Sequence, residues 1–153
     1  LKKEISHNPK RKPDFGPSKL GKVGATAVGA RMILIAFNVN LASKNLKIAK
    51  KIAKKIRFKD GGFPYVKAIG LELANRNCVQ VSINLTNYKK TSVNKVFKTI
   101  EKLAKQSGVK ILESEIIGLI PRAALIKDAK KRWKIKNFSK DKILEEALSR
   151  HKI

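Results

Sequence analysis

Five neutral hydrogen-bonding side chains fall at every second position in two short apolar runs. Asn38 and Asn40 lie in the stretch 32–41, and Gln80, Ser82 and Asn84 lie in the stretch 79–85. Residues two apart on a strand point to the same side. Each run would therefore line one face with amides or a hydroxyl, suited to a polar heterocycle or an amino acid. Glu113 and Glu115 have the same spacing. They could form an acid–base pair, although salt bridges with the nearby lysines are the preferred reading. A run of small residues, Gly24, Ala25, Thr26, Ala27, Val28, Gly29 and Ala30, lets backbone approach a ligand closely. It leads through Arg31, Met32 and Ile33 into the first apolar run, and Arg31 could fork onto a carboxylate. Ordinary roles remain open for these features: a tight turn at the glycines, a surface arginine, a solvated sheet face. Neither the dinucleotide glycine pattern nor a phosphate-loop lysine is present. His7 and His151 lie near opposite ends in polar surroundings. With one cysteine they make no metal site, and neither is assigned a catalytic role.

The elements that must position these residues follow from periodicity. The stretch 32–41 reads as a buried strand with Ile33, Ile35, Phe37, Val39 and Leu41 on its apolar side. Ser43 is the expected N-cap of a helix over 44–57 whose buried face is Leu46, Ala49, Ile52, Ala53 and Ile56. Lys47, Lys50, Lys51, Lys54 and Lys55 crowd the other side. A second strand spans 66–73, and the turn signal Asn75-Arg76-Asn77 joins it as a hairpin to a third, 79–85. There Val79, Val81, Ile83 and Leu85 alternate with Gln80, Ser82, Asn84 and Thr86. Thr91 or Ser92 caps a second helix to about Ser107, ended by Gly108. A fourth strand is expected over 109–120, interrupted near 113–115. Pro121 should open a third helix reaching about Trp133, and 140–150 a last short one. Trp133 and Phe138 are expected to pack under these last helices. The fold class is α+β: a ferredoxin-like βαββαβ sandwich, a four-stranded antiparallel sheet with helices on one face, plus C-terminal helices. In that topology the first and third strands are central neighbours, so Asn38 and Asn40 stand beside Gln80, Ser82 and Asn84.

Length and composition narrow the functional classes. The chain of 153 residues is long enough for a real core, and 42% hydrophobic residues argue for a folded protein. Basic residues outnumber acidic ones 36 to 11, a net charge of +25. That favours polyanions, unless it simply reflects a lysine-rich genome. The lone Cys78 fits a reducing compartment, no apolar run is long enough to span a bilayer, and no secretory signal opens the chain. A cytoplasmic location is expected. Residues 1–23, basic and rich in proline and glycine, read as an extended linker, with a domain over 24–153. The first residue is not Met, so a fragment, a processed form or one piece of a longer polypeptide is expected.

Seven blocks in order, PDFGPS, GATAVGAR, LIAFNVNL, VKAIG, QVSINLTNY, SEIIGLIP and KDKILEEAL, resemble the folate-dependent glutamate formiminotransferases. They resemble the second of that family's two α/β subdomains. The first, which carries the family's catalytic histidine, has no counterpart among these residues. The resemblance implies transfer of a formimino group from N-formiminoglutamate to tetrahydrofolate, the co-substrate, with no metal, in histidine degradation and one-carbon metabolism. It places folate on the segment from Gly24 to Ile33. It places Asn38, Asn40, Gln80, Ser82, Asn84 and Glu115 along the cleft facing the absent subdomain. No catalytic residue is identified, and the chain alone should be inactive. The alternative is a basic, non-catalytic module of the same fold that binds RNA or ribosomes electrostatically through Lys47 to Lys55 and Lys127 to Lys142. Base stacking on the central strands is not expected, since Phe37 falls on the core side. A degenerate relative that keeps the fold and only regulates or scaffolds a partner is a third reading.

Overall fold

The computed structural model describes Ile5 and residues 7–150. The chain divides into two units, Leu1–Ala30 and Arg31–Ile153. In the first, a 3₁₀ turn, Pro9–Arg11, is capped by Asn8, whose side chain accepts from the Lys10 amide. Gly24 has φ +77° and bonds back to the Gly21 carbonyl at 3.1 Å. Residues 21–30 are exposed without helix or strand.

The second unit holds the sandwich. Its strands are β1 (Ile35–Leu41), β2 (Val66–Leu73), β3 (Cys78–Leu85) and β4 (Ile111–Ile117), and its two long helices are α1 (Leu46–Ile56) and α2 (Val93–Gln106). The sheet order is β2-β3-β1-β4, every pair antiparallel, the ferredoxin-like arrangement. β1 and β3 occupy the centre, and β1 sends Ile35, Phe37, Val39 and Leu41 to the helical side, all fully buried. Val79, Val81, Ile83 and Leu85 of β3 join them. On α1 the buried residues are Ala49, Ile52, Ala53 and Ile56, while Lys47, Lys50, Lys51, Lys54 and Lys55 are exposed. Such a helix is stable because its apolar stripe is covered; its lysines repel one another.

The differences from sequence expectation lie at ends and junctions. Asn45, not Ser43, caps α1: its side chain accepts from the Lys47 amide at 3.0 Å. Ser43 instead accepts from the Asn45 amide, which delays the helix to Leu46. β1 begins at Ile35 rather than 32, because its partners run no further than Leu85 and Ile117. β4 is shorter than 109–120 and is not broken at 113–115. Its irregularity is a bulge at Leu112, since Asn40 faces Glu113 while Leu41 faces Ile111. The expected third helix is broken too. A 3₁₀ turn, Arg122–Ala124, is followed by extended Leu125, and Asp128 is left-handed at φ +57°, so only α3 (Ala129–Arg132) is helical. The last helix is divided by Ile143, which bridges to Ile120, leaving a 3₁₀ turn and α4 (Leu144–Arg150).

These irregular pieces cover the β4 edge. Ser114 receives the Lys136 amide and gives its own to the Lys134 carbonyl, at 2.9 and 2.8 Å, which protects a strand edge that would otherwise pair with other chains. Trp133 is thereby driven into the core. It meets Phe37 edge-on at 6.0 Å between centroids, and Phe37 meets Phe97 in the same way at 6.3 Å. The Trp133 indole N–H donates to Asn94 at 3.2 Å, so its polar atom is satisfied. Phe138 packs partly buried against the same core. Among the described residues no helix is long and apolar enough to cross a membrane.

One contact fixes how closely α1 lies on the sheet. A Cβ built on Gly70 of β2 would lie 2.4 Å from the Lys50 nitrogen and 2.6 Å from the Ala49 carbonyl carbon, both backbone atoms. Gly70→Ala should therefore destabilise the protein by about 1–3 kcal/mol through overpacking, read as a lower urea midpoint. Gly21→Ala, with nothing within 4 Å, should leave the midpoint unchanged.

Candidate functional site

The face of the sheet away from the helices is built in rows by the strand register. One row runs Leu71, Gln80, Asn40, Glu113; the next Ile69, Ser82, Asn38, Glu115; a third Lys67, Asn84, Ala36, Ile117. Asn38, Asn40, Gln80, Ser82 and Asn84 thus share one face, with both glutamates beside them. Period-two alternation in β1 and β3, interlocked by their pairing, is the whole reason.

Burial sorts these side chains by depth. Asn40 is fully buried and Gln80 is 5% exposed. Ser82 and Asn38 are half-buried, and Asn84 is exposed. Buried amides must be paired, and these are paired with one another. Gln80 Nε2 donates to Asn40 Oδ1 at 2.8 Å and to Glu115 Oε1 at 2.9 Å. Asn38 Nδ2 donates to the same Glu115 oxygen at 3.2 Å, and Asn40 Nδ2 donates to Glu113 Oε1 at 3.1 Å. The deepest amides therefore serve to hold two carboxylates. The face is also less neutral than its amides alone suggest, because β4 brings the glutamates and β2 brings Lys67.

The two carboxylates have different surroundings. Glu113 forms an ion pair with Arg76, from the turn between β2 and β3, and another with Lys136 at 3.5 Å. Burial pulls its pKa upward, but Arg76, the Asn40 amide and Lys136 outweigh that, and its carboxyl sits below the ordinary range. The same hydrogen bond, with the Glu113 charge, raises Arg76. Glu115 is held by the two amides, and among the described residues it enters no ion pair. The salt-bridge reading thus fits Glu113, with an arginine as first partner. Glu115 is a carboxylate oriented by neutral donors.

Both glutamates line a cleft of about 310 Å³ with Arg76, Ile117, Lys136, Asn137 and Lys142. Apolar Ile69, Leu71 and Ile117, each between 39% and 52% exposed, flank the polar rows. The flanking residues on β2 could have been read from their alternation with Ala68 and Gly70. Arg76 carried no signal beyond lying in a turn. Phe37 points into the core, so the central strands offer no aromatic to this face.

The segment from Gly24 to Ile33 is divided between the units. Gly24, Ala25, Thr26, Ala27, Val28, Gly29 and Ala30 are exposed in the first, and Arg31, Met32 and Ile33 are exposed at the start of the second. His7 is exposed in the first unit, and His151 lies outside the described residues. Among the described residues no group of three or more His, Cys, Asp or Glu is placed to hold a metal ion.

The lowered Glu113 pKa predicts a pH dependence. A carboxylate held more acidic in the folded state contributes stability above its unfolded value, about pH 4.3. It loses that contribution as pH falls through the lower folded value. Glu113→Gln should therefore be less stable than the parent at pH 7, and the gap should close toward pH 3. Urea denaturation of both proteins across that range measures it.

The family profile described as Formiminotransferase domain matches residues 36–151. The chain is 47% identical over 148 residues to the glutamate formimidoyltransferase of Thermoplasma acidophilum, an alignment covering 97% of this chain and 49% of that protein. It is 48% identical over 138 residues to the glutamate formimidoyltransferase of Streptococcus pyogenes serotype M1, covering 89% and 46%. With the formimidoyltransferase-cyclodeaminase of Mus musculus it shares 38% identity over 120 residues, 74% of this chain and 22% of the other. The chain spans about half the length of the two glutamate formimidoyltransferases it matches. With a profile match over most of its length and relatives at 47% and 48% identity, the chain belongs to the formiminotransferase family.

Proposed function

We propose that this chain is the folate-binding half of a glutamate formimidoyltransferase, which moves a formimino group from N-formiminoglutamate to tetrahydrofolate. The observation that supports the reading is Glu115. Its carboxylate is oriented by Asn38 and Gln80 on the two central strands and lines a cleft. A fixed acceptor suits a guest with N–H donors, such as the amino-pyrimidinone edge of a pterin. Half-buried Asn38 and Ser82 and exposed Asn84 offer further polar contacts, and Ile69, Leu71 and Ile117 an apolar border. Asn40 and Gln80 act from beneath as positioning residues. Family resemblance assigns folate contacts to the segment from Gly24 to Ile33 as well. The domain is taken to run over 24–153, with 1–23 as linker.

In the reaction the folate nitrogen attacks the formimino carbon and a tetrahedral adduct forms. The bond from that carbon to the glutamate nitrogen then breaks, the folate nitrogen gives up its proton, and the leaving amine takes one. Both substrates must be held in contact, and a proton carrier with a pKa near neutrality must serve the leaving group. This chain supplies the holding. The proton carrier is assigned to the family's other subdomain, the partner of this one. The setting is cytoplasmic histidine degradation and one-carbon metabolism.

Calorimetric titration of the chain with tetrahydrofolate under argon tests the reading. Binding should be weak, with a Kd on the order of 0.1–1 mM. Glu115→Gln should weaken it roughly tenfold, about 1.4 kcal/mol. Absence of binding would remove the folate assignment. Turnover should need the other half of the enzyme, and substantial transferase activity from this chain alone would overturn the division of labour.

A further inference from the structure

The helical side of the sandwich carries a feature that folate chemistry on the opposite face does not use. Two clefts flank α2. One, about 200 Å³, is lined by Lys98 and Arg132. The other, about 360 Å³, is lined by Lys105, Lys110 and Lys134. Glu101 lines both, so the two clefts adjoin at that side chain on α2. All six side chains belong to exposed residues. Lys134 also donates to the Ile111 carbonyl at 3.1 Å, which holds it at the cleft wall. Lys98 and Lys105 are two turns apart on α2, roughly 10 Å. The result is a groove of two adjoining clefts lined by five cations, with one acid between its halves.

We propose that this groove binds the backbone of a single-stranded polynucleotide, independently of the transferase reading. Cations spread over two adjoining clefts, with Lys98 and Lys105 roughly 10 Å apart along α2, match a repeating anion rather than one compact ion. Four of the five are lysines, point charges that suit phosphate. A chain of carboxylates would favour the planar fork of arginine, and a single arginine lines the groove. The large apolar residues at the clefts, Phe97 and Ile111, are buried, so nothing is offered to insert into a lipid surface. Base stacking has no platform here either, and binding should be steeply salt-dependent with little sequence preference.

The test is fluorescence anisotropy of a short labelled oligouridylate with the full 153-residue chain, over a salt series. Reversing three groove lysines together, Lys98→Glu, Lys105→Glu and Lys110→Glu, should weaken binding at least about thirtyfold. It should lower the slope of log K against log salt by about 2, near 0.7 per lost phosphate contact. The same charge change on α1, Lys47→Glu with Lys51→Glu and Lys54→Glu, should cost no more than about threefold. Glu101→Gln should tighten binding about two- to threefold without touching the core. Equal losses from the two triple variants would overturn the proposal, because net charge alone would then be responsible. So would equally tight binding of poly-L-glutamate, or a preference for phosphatidylserine vesicles over the oligonucleotide.

Discussion

The antiparallel register of β1 on β3 is the constraint on which the rest of this molecule depends. Asn38 faces Ser82 and Asn40 faces Gln80, while Phe37 faces Ile83 and Val39 faces Val81. A slip of one residue would turn every side chain of one strand over. Gln80 and Ser82 would then enter the core, and Val81 and Ile83 would emerge among the amides. Two incompatible environments are thus separated by the thickness of one sheet, and a single set of backbone hydrogen bonds maintains both.

The polar side is costly ground, because an amide with no water and no partner loses the full free energy of its solvation. The structure answers by closing the network on itself. Asn40 is buried between Gln80 and Glu113, and Gln80 spends both amide hydrogens on Asn40 and Glu115. Closure gives rigidity at depth and leaves chemistry to the shallower groups. Glu113 is neutralised by Arg76 and Lys136, whereas Glu115 is met by the side-chain amides of Asn38 and Gln80. Two identical residues two positions apart thereby acquire different roles.

The large positive charge is distributed with the same separation. The exposed surfaces of α1 and α2 are almost wholly lysine, with Glu101 the one acid within either helix. On the sheet face cations are balanced by Glu113 and Glu115. Self-repulsion on the helical side is tolerated because water and salt screen it over about 10 Å, while the buried stripes beneath hold the helices in place. Lys95, resting 5.0 Å from the centre of the Phe63 ring, shows one lysine settled against an aromatic.

How much of this was legible beforehand depended on range. The alternation in β1 and β3 and the buried faces of α1 and α2 are local patterns, and they were readable with the topology and the shared face of the five polar residues. So was the stop at Gly108. What a neighbour along the chain cannot dictate was not readable. Asn45 displaced Ser43 as a cap because of how the chain turns out of β1. The helix expected after Pro121 is broken at extended Leu125 and left-handed Asp128, in a segment whose partners lie across the fold on β4 and Phe37. The burial of Asn40, the pairing of Glu113 with Arg76 and the orientation of Glu115 join residues 35 to 77 positions apart. The sequence by itself determined which side chains share a face, since a strand's period is a property of its own backbone. Tertiary structure alone decided their depth and their partners, because those depend on what the neighbouring strands and turns bring over them.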